Sequence, residues 1–198
     1  FMEIYAALCR FHMKTYGTTQ RQIAAVCAKN HTHSVHNPFS QFRKPFTIDE
    51  VLAAPPITYP ITLPMCAPLS DGSAAAILCT EEGLKRIGAE KSRCIKVAAS
   101  VIRSFTHRGL DQPELNIGRL AANQAYEIAG LGPKDMHVAE VHDASAMGEI
   151  IQAENLGLVE LGMGGPAAER GEFTLGGRMP INTSGGLESK GHPLGATG

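Results

Sequence analysis

From Ser70 to Ser184 short apolar runs alternate with stretches that carry helix caps, and this alternation restricts the fold more than any other feature of the chain. SAAAILCT (73–80), CIKVAASVIRSF (94–105), MHVAEVHD (136–143) and MPINTS (179–184) are short, apolar or β-branched, and read as buried strands. Between them, Thr80 caps a helix with Glu81 and Glu82 in its first turn, where the helix dipole favours acids, and Gly88 ends it. Asn116–Ala129 is predicted to be an amphipathic helix with Leu120, Ala121, Ala125 and Ile128 on one side and Gly130 after it, and a further helix is predicted over Ala146–Asn155. Strands alternating with helices in this way indicate an α/β fold with buried sheets.

The first 65 residues have a different texture. Residues 1–16 carry a helical apolar stripe (Ile4, Leu8, Phe11, with Cys9 and Met13) that stops at Gly17. Thr19 and Gln22 stand at capping-box spacing and open a helix expected to run to about Lys29, followed by a polar loop, NHTHSVHNPFSQFRKPF. Thr47 and Glu50 repeat the capping box before Val51–Leu52, and PPITYPITLP is too proline-rich for a helix or a central strand. Small helices and long loops of this kind suit a covering, loop-type domain, and a boundary is expected near residue 92. Both ends look cut: the helical stripe begins at Phe1, and the chain stops at Gly198 inside a glycine-rich turn.

Charge and composition exclude several classes. The formal net charge is −1 and no basic block stands out, which argues against nucleic acid or an anionic membrane surface as partner. No apolar run approaches the roughly 20 residues needed to span a bilayer. The five cysteines (Cys9, Cys27, Cys66, Cys79, Cys94) are odd in number and contain no C-x-x-C, a usage that fits reduced, structural thiols in an intracellular protein. His31, His33 and His36 match no zinc spacing and read as a solvated loop, so no metal is expected.

Two segments could carry chemistry. NTSGGLESKGHPLGATG (182–198) has five glycines in 17 residues, which lets backbone approach a ligand closely. It is no phosphate loop, because the glycine pattern continues with His192 where a Lys-Ser/Thr pair would be required. What remains is a histidine held in a tight turn at His192-Pro193, either for structure or for chemistry. EVHDASAMGE (140–149) places His142 and Asp143 where a strand ends and a helix begins, the position at which α/β proteins display site residues. A histidine there can donate, accept or transfer a proton near neutral pH, while the bland alternative is a capping Asp143 beside a satisfied His142.

These residues resemble a known family. NTSGGLESKGHPLGATG is similar to the glycine-rich active-site loop of thiolases, with the GHP triplet at Gly191-His192-Pro193; Ser184, Gly185 and Gly186 belong to the same loop. EVHDASA resembles the His-Asp motif of sterol-carrier-protein-type thiolases, PLSDGSAAAILC the close of their N-terminal half, and KNHTHSVHNPFSQF their loop domain. The resemblance implies the thiolase fold, two similar halves in a five-layer α-β-α-β-α sandwich, incomplete here at both ends. Residues 1–65 would be the loop domain over the coenzyme A site, 66–93 the end of the N-terminal half, and 94–198 the truncated C-terminal half.

The implied chemistry is Claisen condensation of acyl-CoA thioesters or thiolytic cleavage of a 3-ketoacyl-CoA, with coenzyme A as substrate and no bound cofactor. His192 would activate a nucleophilic cysteine and help hold the thioester oxyanion, and His142 would position a water or donate to the same oxyanion. The family's nucleophile lies upstream of Phe1, so none of the five cysteines takes that role. Family members that cleave 3-ketoacyl-CoA often carry cysteine after the His-Asp pair; here Ala144 occupies the position, with Ser145 where an aromatic is usual. That departure keeps two alternatives open: a thiolase-fold retro-aldolase on a 3-hydroxyacyl-CoA, working with a small OB-fold, zinc-ribbon protein, or a non-catalytic CoA-binding subunit. A homodimer or homotetramer is expected, in the bacterial cytoplasm or, in a eukaryote, the peroxisome.

Overall fold

The computed structural model describes residues 1–197; Gly198, the last glycine of the loop, lies outside the described residues. Among the described residues the α-helices and strands, short 3-10 turns aside, follow in the order α1 (Met2–Tyr16), α2 (Gln20–Ser34), α3 (Ile48–Ala53), β1 (Pro56–Thr58), β2 (Ile61–Thr62), α4 (Glu81–Ile87), α5 (Ile117–Ala129), α6 (Ala146–Asn155), α7 (Gly164–Glu169) and α8 (Gly186–Lys190).

The local punctuation read from sequence is present in three dimensions. Gly17 closes α1 in the left-handed region, φ 76°, its N–H donating to Met13. Thr19 and Gln22 form a complete capping box at the start of α2, and Thr47 and Glu50 do the same for α3. Thr80 caps α4 by accepting from the Gly83 N–H, and Gly88 ends it. Asn116 caps α5, with Gly130 after Ala129. Each cap satisfies backbone groups the helix itself leaves orphaned and is worth about 1 kcal/mol.

Helix α2 is the hub, packing against α3, α6, α7 and α8. Its Ile23, Val26 and Cys27 join Ala6 and Cys9 of α1, Met147, Ile150 and Ala153 of α6, and Phe173 and Ile181 in one continuous core. Burial of each large apolar side chain contributes roughly 1.5–3 kcal/mol. Helix α2 runs to Ser34, five residues beyond the expected stop at Lys29, so the histidine-rich stretch begins as helix and not as loop. The reason is tertiary: Lys29, Asn30, His31, His33 and Ser34 are buried, four of them with partners inside the protein.

The strand expectations need correction. Among the described residues the regular ladder is confined to the antiparallel pair β1–β2, within the proline-rich segment. Segments 136–143 and 179–184 do run side by side in parallel, but share a single bridge, Ala139 with Ile181. Asn182 interrupts them: it adopts φ 53°, and its side-chain carbonyl, not a main-chain one, accepts the Val141 N–H at 2.8 Å. Segments 73–80 and 94–105 have no ladder partner among the described residues, and Ile77, Leu78, Ile95 and Ile102 are exposed. An apolar run becomes a strand only when a neighbour supplies the other half of its hydrogen bonds. For the same reason Cys79 and Cys94 are exposed, in contrast to the buried Cys9 and Cys27. The α5 face is likewise thinner than expected, with Ala122 buried and Ile128 exposed. The glycine-rich segment, expected as one long turn, contains the short helix α8.

Candidate active site

The end of segment 136–143 and the glycine-rich loop are joined at three points. At the first, Glu140 accepts from the Ser184 hydroxyl at 2.7 Å, from the Ser184 N–H at 3.0 Å and from the Thr183 hydroxyl at 3.0 Å. These donors hold the Glu140 carboxyl below its ordinary range against the opposing effect of its burial. The Ser184 carbonyl in turn accepts from Asn37 at 2.9 Å.

At the second point Asp143 accepts from the Leu187 N–H at 2.7 Å. It thus caps α8 and not α6, whose N-cap residue Ser145 makes no side-chain capping bond. Gly185 and Gly186 make this approach possible. Both have positive φ, 103° and 62°, and a Cβ on Gly186 would overlap the Asp143 carboxylate.

The third point brings the two sequence-predicted histidines together. Nε2 of His142 and Nε2 of His192 lie 3.2 Å apart, with the rings edge to face. The His192 tautomer that satisfies both contacts of Thr197 carries its proton on Nδ1. Thr197 donates its hydroxyl to the Pro193 carbonyl at 3.3 Å, so its oxygen is free to accept from Nδ1–H of His192 at 3.0 Å. Neutral His192 therefore turns an unprotonated Nε2 toward His142, whose Nε2–H donates to it. Burial, and then the neighbouring His142, lower the pKa of His192 and keep it a neutral base. The segment 66–70 pins the loop from the other side: the His192 N–H donates to Pro68, and the Ala67 N–H to Ala144. Gly191 packs against Ser70, leaving no room for a Cβ, and Pro193 sits against Gly72. His142 also lines a cavity of about 210 Å³ between α1 and α6, walled by Tyr5, Leu8, Phe11 and Ile151.

Behind the histidines lies a buried polar cluster that sequence reading missed. Asp143, Glu149 and Glu188 are all fully buried, and Lys29 nearly so. Lys29 Nζ donates to Asn30 at 2.6 Å, to the Ile181 carbonyl at 2.6 Å, and pairs with Glu149 at 3.0 Å. Asn182 donates to Glu149 at 2.8 Å. The single amide nitrogen of Asn30 lies within hydrogen-bond reach of all three acids: 3.0 Å from Asp143, 3.0 Å from Glu149 and 3.2 Å from Glu188. Burial, and then the neighbouring acid in each case, push the Asp143 and Glu188 carboxyls well above their ordinary range. Of its members the sequence singles out only Asp143, beside His142; Glu188 could have been noticed as an acid inside a glycine-rich turn.

The other candidates fall into structural places. His33 donates from Nδ1 to the Asn182 carbonyl at 3.0 Å and accepts the Leu175 N–H on Nε2 at 3.0 Å, which fixes it neutral. His31 is packed between Phe42 and Phe46, while His36 is exposed. Burial raises the Cys9 thiol to about 12 and the Cys66 thiol to about 11, so neither is a thiolate at neutral pH.

Residues 104–197 match the family described as Thiolase C-terminal domain-like. The chain is 41% identical over 202 residues to sterol carrier protein 2 of Oryctolagus cuniculus, covering 99% of this chain and 37% of that protein. It is 38% identical over 199 residues to an acetyl-CoA acetyltransferase of Methanothermobacter thermautotrophicus, covering 100% of this chain and 52% of that one. The chain thus spans between about a third and a half of the curated relatives it matches. In fold it is similar to the Ltp2-ChsH2(DUF35) aldolase, with a TM-score of 0.71 over 96% of this chain and 51% of that one, at 20% identity. With relatives of this similarity along its whole length, the chain belongs to the thiolase superfamily and has the thiolase fold.

Proposed function

We propose that the protein is a CoA-thioester acyltransferase of the sterol-carrier type, catalysing Claisen condensation or thiolytic cleavage of a 3-ketoacyl-CoA. The observation that carries this reading is the 3.2 Å approach of His142 and His192. An unprotonated Nε2 on His192 suits the removal of a thiol proton, from a nucleophilic cysteine or from coenzyme A. Once His192 is protonated, both rings present N–H donors toward one point, an arrangement suited to the negative oxygen that develops on a thioester. The cavity beside His142, lined by apolar and polar side chains alike, would take the acyl part of the substrate. Residues 1–65 would cover coenzyme A, and residues 66–93 and 94–198 would belong to the two halves of the fold. A homodimer or homotetramer, in the bacterial cytoplasm or the peroxisome, accompanies this reading.

The test is turnover by the full-length protein. His192→Ala is expected to lower thiolytic kcat by about 100-fold or more, the scale of a lost general base. Near-normal turnover would remove His192 from the chemistry.

One observation favours a second reading. Ala144, buried directly after the His-Asp pair, offers no thiol for acid–base work. Retro-aldol cleavage of a 3-hydroxyacyl-CoA needs a base and no acyl-enzyme, so a small OB-fold, zinc-ribbon partner and cleavage without an acyl adduct would replace the thiolase reading. Intact mass after acid quenching with a 3-ketoacyl-CoA separates the two: an acyl adduct supports the acyltransferase, and its absence favours the aldolase.

A further inference from the structure

The cluster behind the histidines has more acceptors than donors. Two amide hydrogens on Asn30 face three carboxylate oxygens, one from each of Asp143, Glu149 and Glu188. Glu149 is the best served, receiving Lys29 and Asn182 besides Asn30. Asp143 receives the Leu187 N–H on one oxygen and Asn30 on the other. Among the described residues Glu188 has only the longest of the three Asn30 contacts, and its second oxygen, Oε1, is buried with no partner. If all three acids were ionised, Lys29 would leave two net negative charges in a site closed to water. Desolvating an unpaired charge costs several kcal/mol, far more than retaining one proton.

We propose that Glu188 is a positioning residue, held as a neutral carboxylic acid, and that its neutrality keeps the glycine-rich loop, and with it His192, in register with His142. Glu188 lies four residues before His192 in the loop, and Asp143 directly follows His142. The two acids meet at the same Asn30 amide, so repulsion between them acts on the spacing of the two histidines. The groups that face Glu188 and Asp143 are Lys29 and Cys27 of α2, Glu149 of α6, Cys66 of the segment 66–70, and Tyr5 of α1, which faces Asp143. Only Lys29 among them carries positive charge. Ionisation of Glu188 at alkaline pH would therefore go uncompensated and would push the loop from its seat.

The catalytic part of this inference rests on the thiolase reading, and the test separates the two. Infrared spectra of the full-length protein at neutral pH should contain the carbonyl band of a buried protonated carboxyl, and Glu188→Gln should abolish it. In thiolysis assays Glu188→Ala should lower kcat by about 100-fold, the scale of a small misplacement of catalytic groups, with KM little changed. Glu188→Gln, which keeps a donor but cannot ionise, should recover most of that loss and remove an alkaline decline in kcat. A neutral-pH spectrum with no such band, a band that survives Glu188→Gln, or a glutamine variant as impaired as the alanine variant would each overturn the proposal. The infrared measurement needs no turnover. A protein with that band but no activity on 3-ketoacyl-CoA would refute the thiolase reading alone, and the band would decide the protonation state.

Discussion

His142 and His192 stand 50 positions apart in sequence, yet their Nε2 atoms are 3.2 Å apart, and the second ring is oriented by a hydroxyl five residues further on. That hydroxyl, on Thr197, accepts from Nδ1–H of His192 and so decides which nitrogen faces the site. Loss of the acceptor frees the ring to adopt the other tautomer. Thr197→Val should lower kcat by about 10- to 100-fold, the usual effect of removing a group that orients a catalytic imidazole from behind. Turnover should be compared with that of Thr197→Ser, which retains the hydroxyl. Equal activity of the two variants would show that Thr197 plays no orienting part.

Lys29 is the single cation among three buried acids. Lys29→Met keeps most of the side chain's volume but removes the charge and its donors to Ile181 and Asn30. Breaking a buried pair by removing one partner costs about 3–5 kcal/mol, and that loss should appear in the midpoint of denaturant unfolding. Glu188→Gln in the same background should restore part of it by lowering the demand for positive charge. A Lys29→Met protein as stable as the parent would mean that the acids are already neutral without it.

Acid should destabilise the fold through His31 and His33. Burial lowers both pKa values. In the unfolded chain each histidine takes up a proton at about pH 6.5, so below that pH the unfolded state binds more protons than the folded state. The stability from these two groups is fully present above about pH 6.5 and is lost as pH falls through their lower folded-state values. Asp143 and Glu188 act in the opposite sense, because their raised values make the folded state the better proton binder and their contribution is lost as pH rises. The histidine effect is isolated by comparing Tm between pH 7 and pH 5 for the parent and for His33→Gln. The variant should show the shallower decline, and equal slopes would exclude His33 as the source.

Local grammar was legible in the sequence wherever it depended on near neighbours. The capping boxes at Thr19–Gln22 and Thr47–Glu50 and the stops at Gly17, Gly88 and Gly130 are made by residues within one turn of each other. The His142-Asp143 and His192-Pro193 motifs could be picked out because an acid or imidazole in a glycine-rich or strand-ending context is unusual in itself. What the sequence could not convey was every relation that closes over a long separation. Segments 136–143 and 179–184 were each read as a strand, but their pairing was not legible and amounts to a single bridge, because Asn182 replaces a main-chain acceptor with a side-chain one, and that exchange depends on Val141 lying opposite. Helix α2 continues past Lys29 because Glu149, Asn182 and Leu175, all more than 100 residues away, accept or supply the hydrogen bonds of its polar face. Periodicity and propensity describe one chain segment at a time. A buried charge cluster is stable only as a set, so Lys29, Asn30, Asp143, Glu149 and Glu188 acquired their meaning only when the tertiary structure removed them together from water.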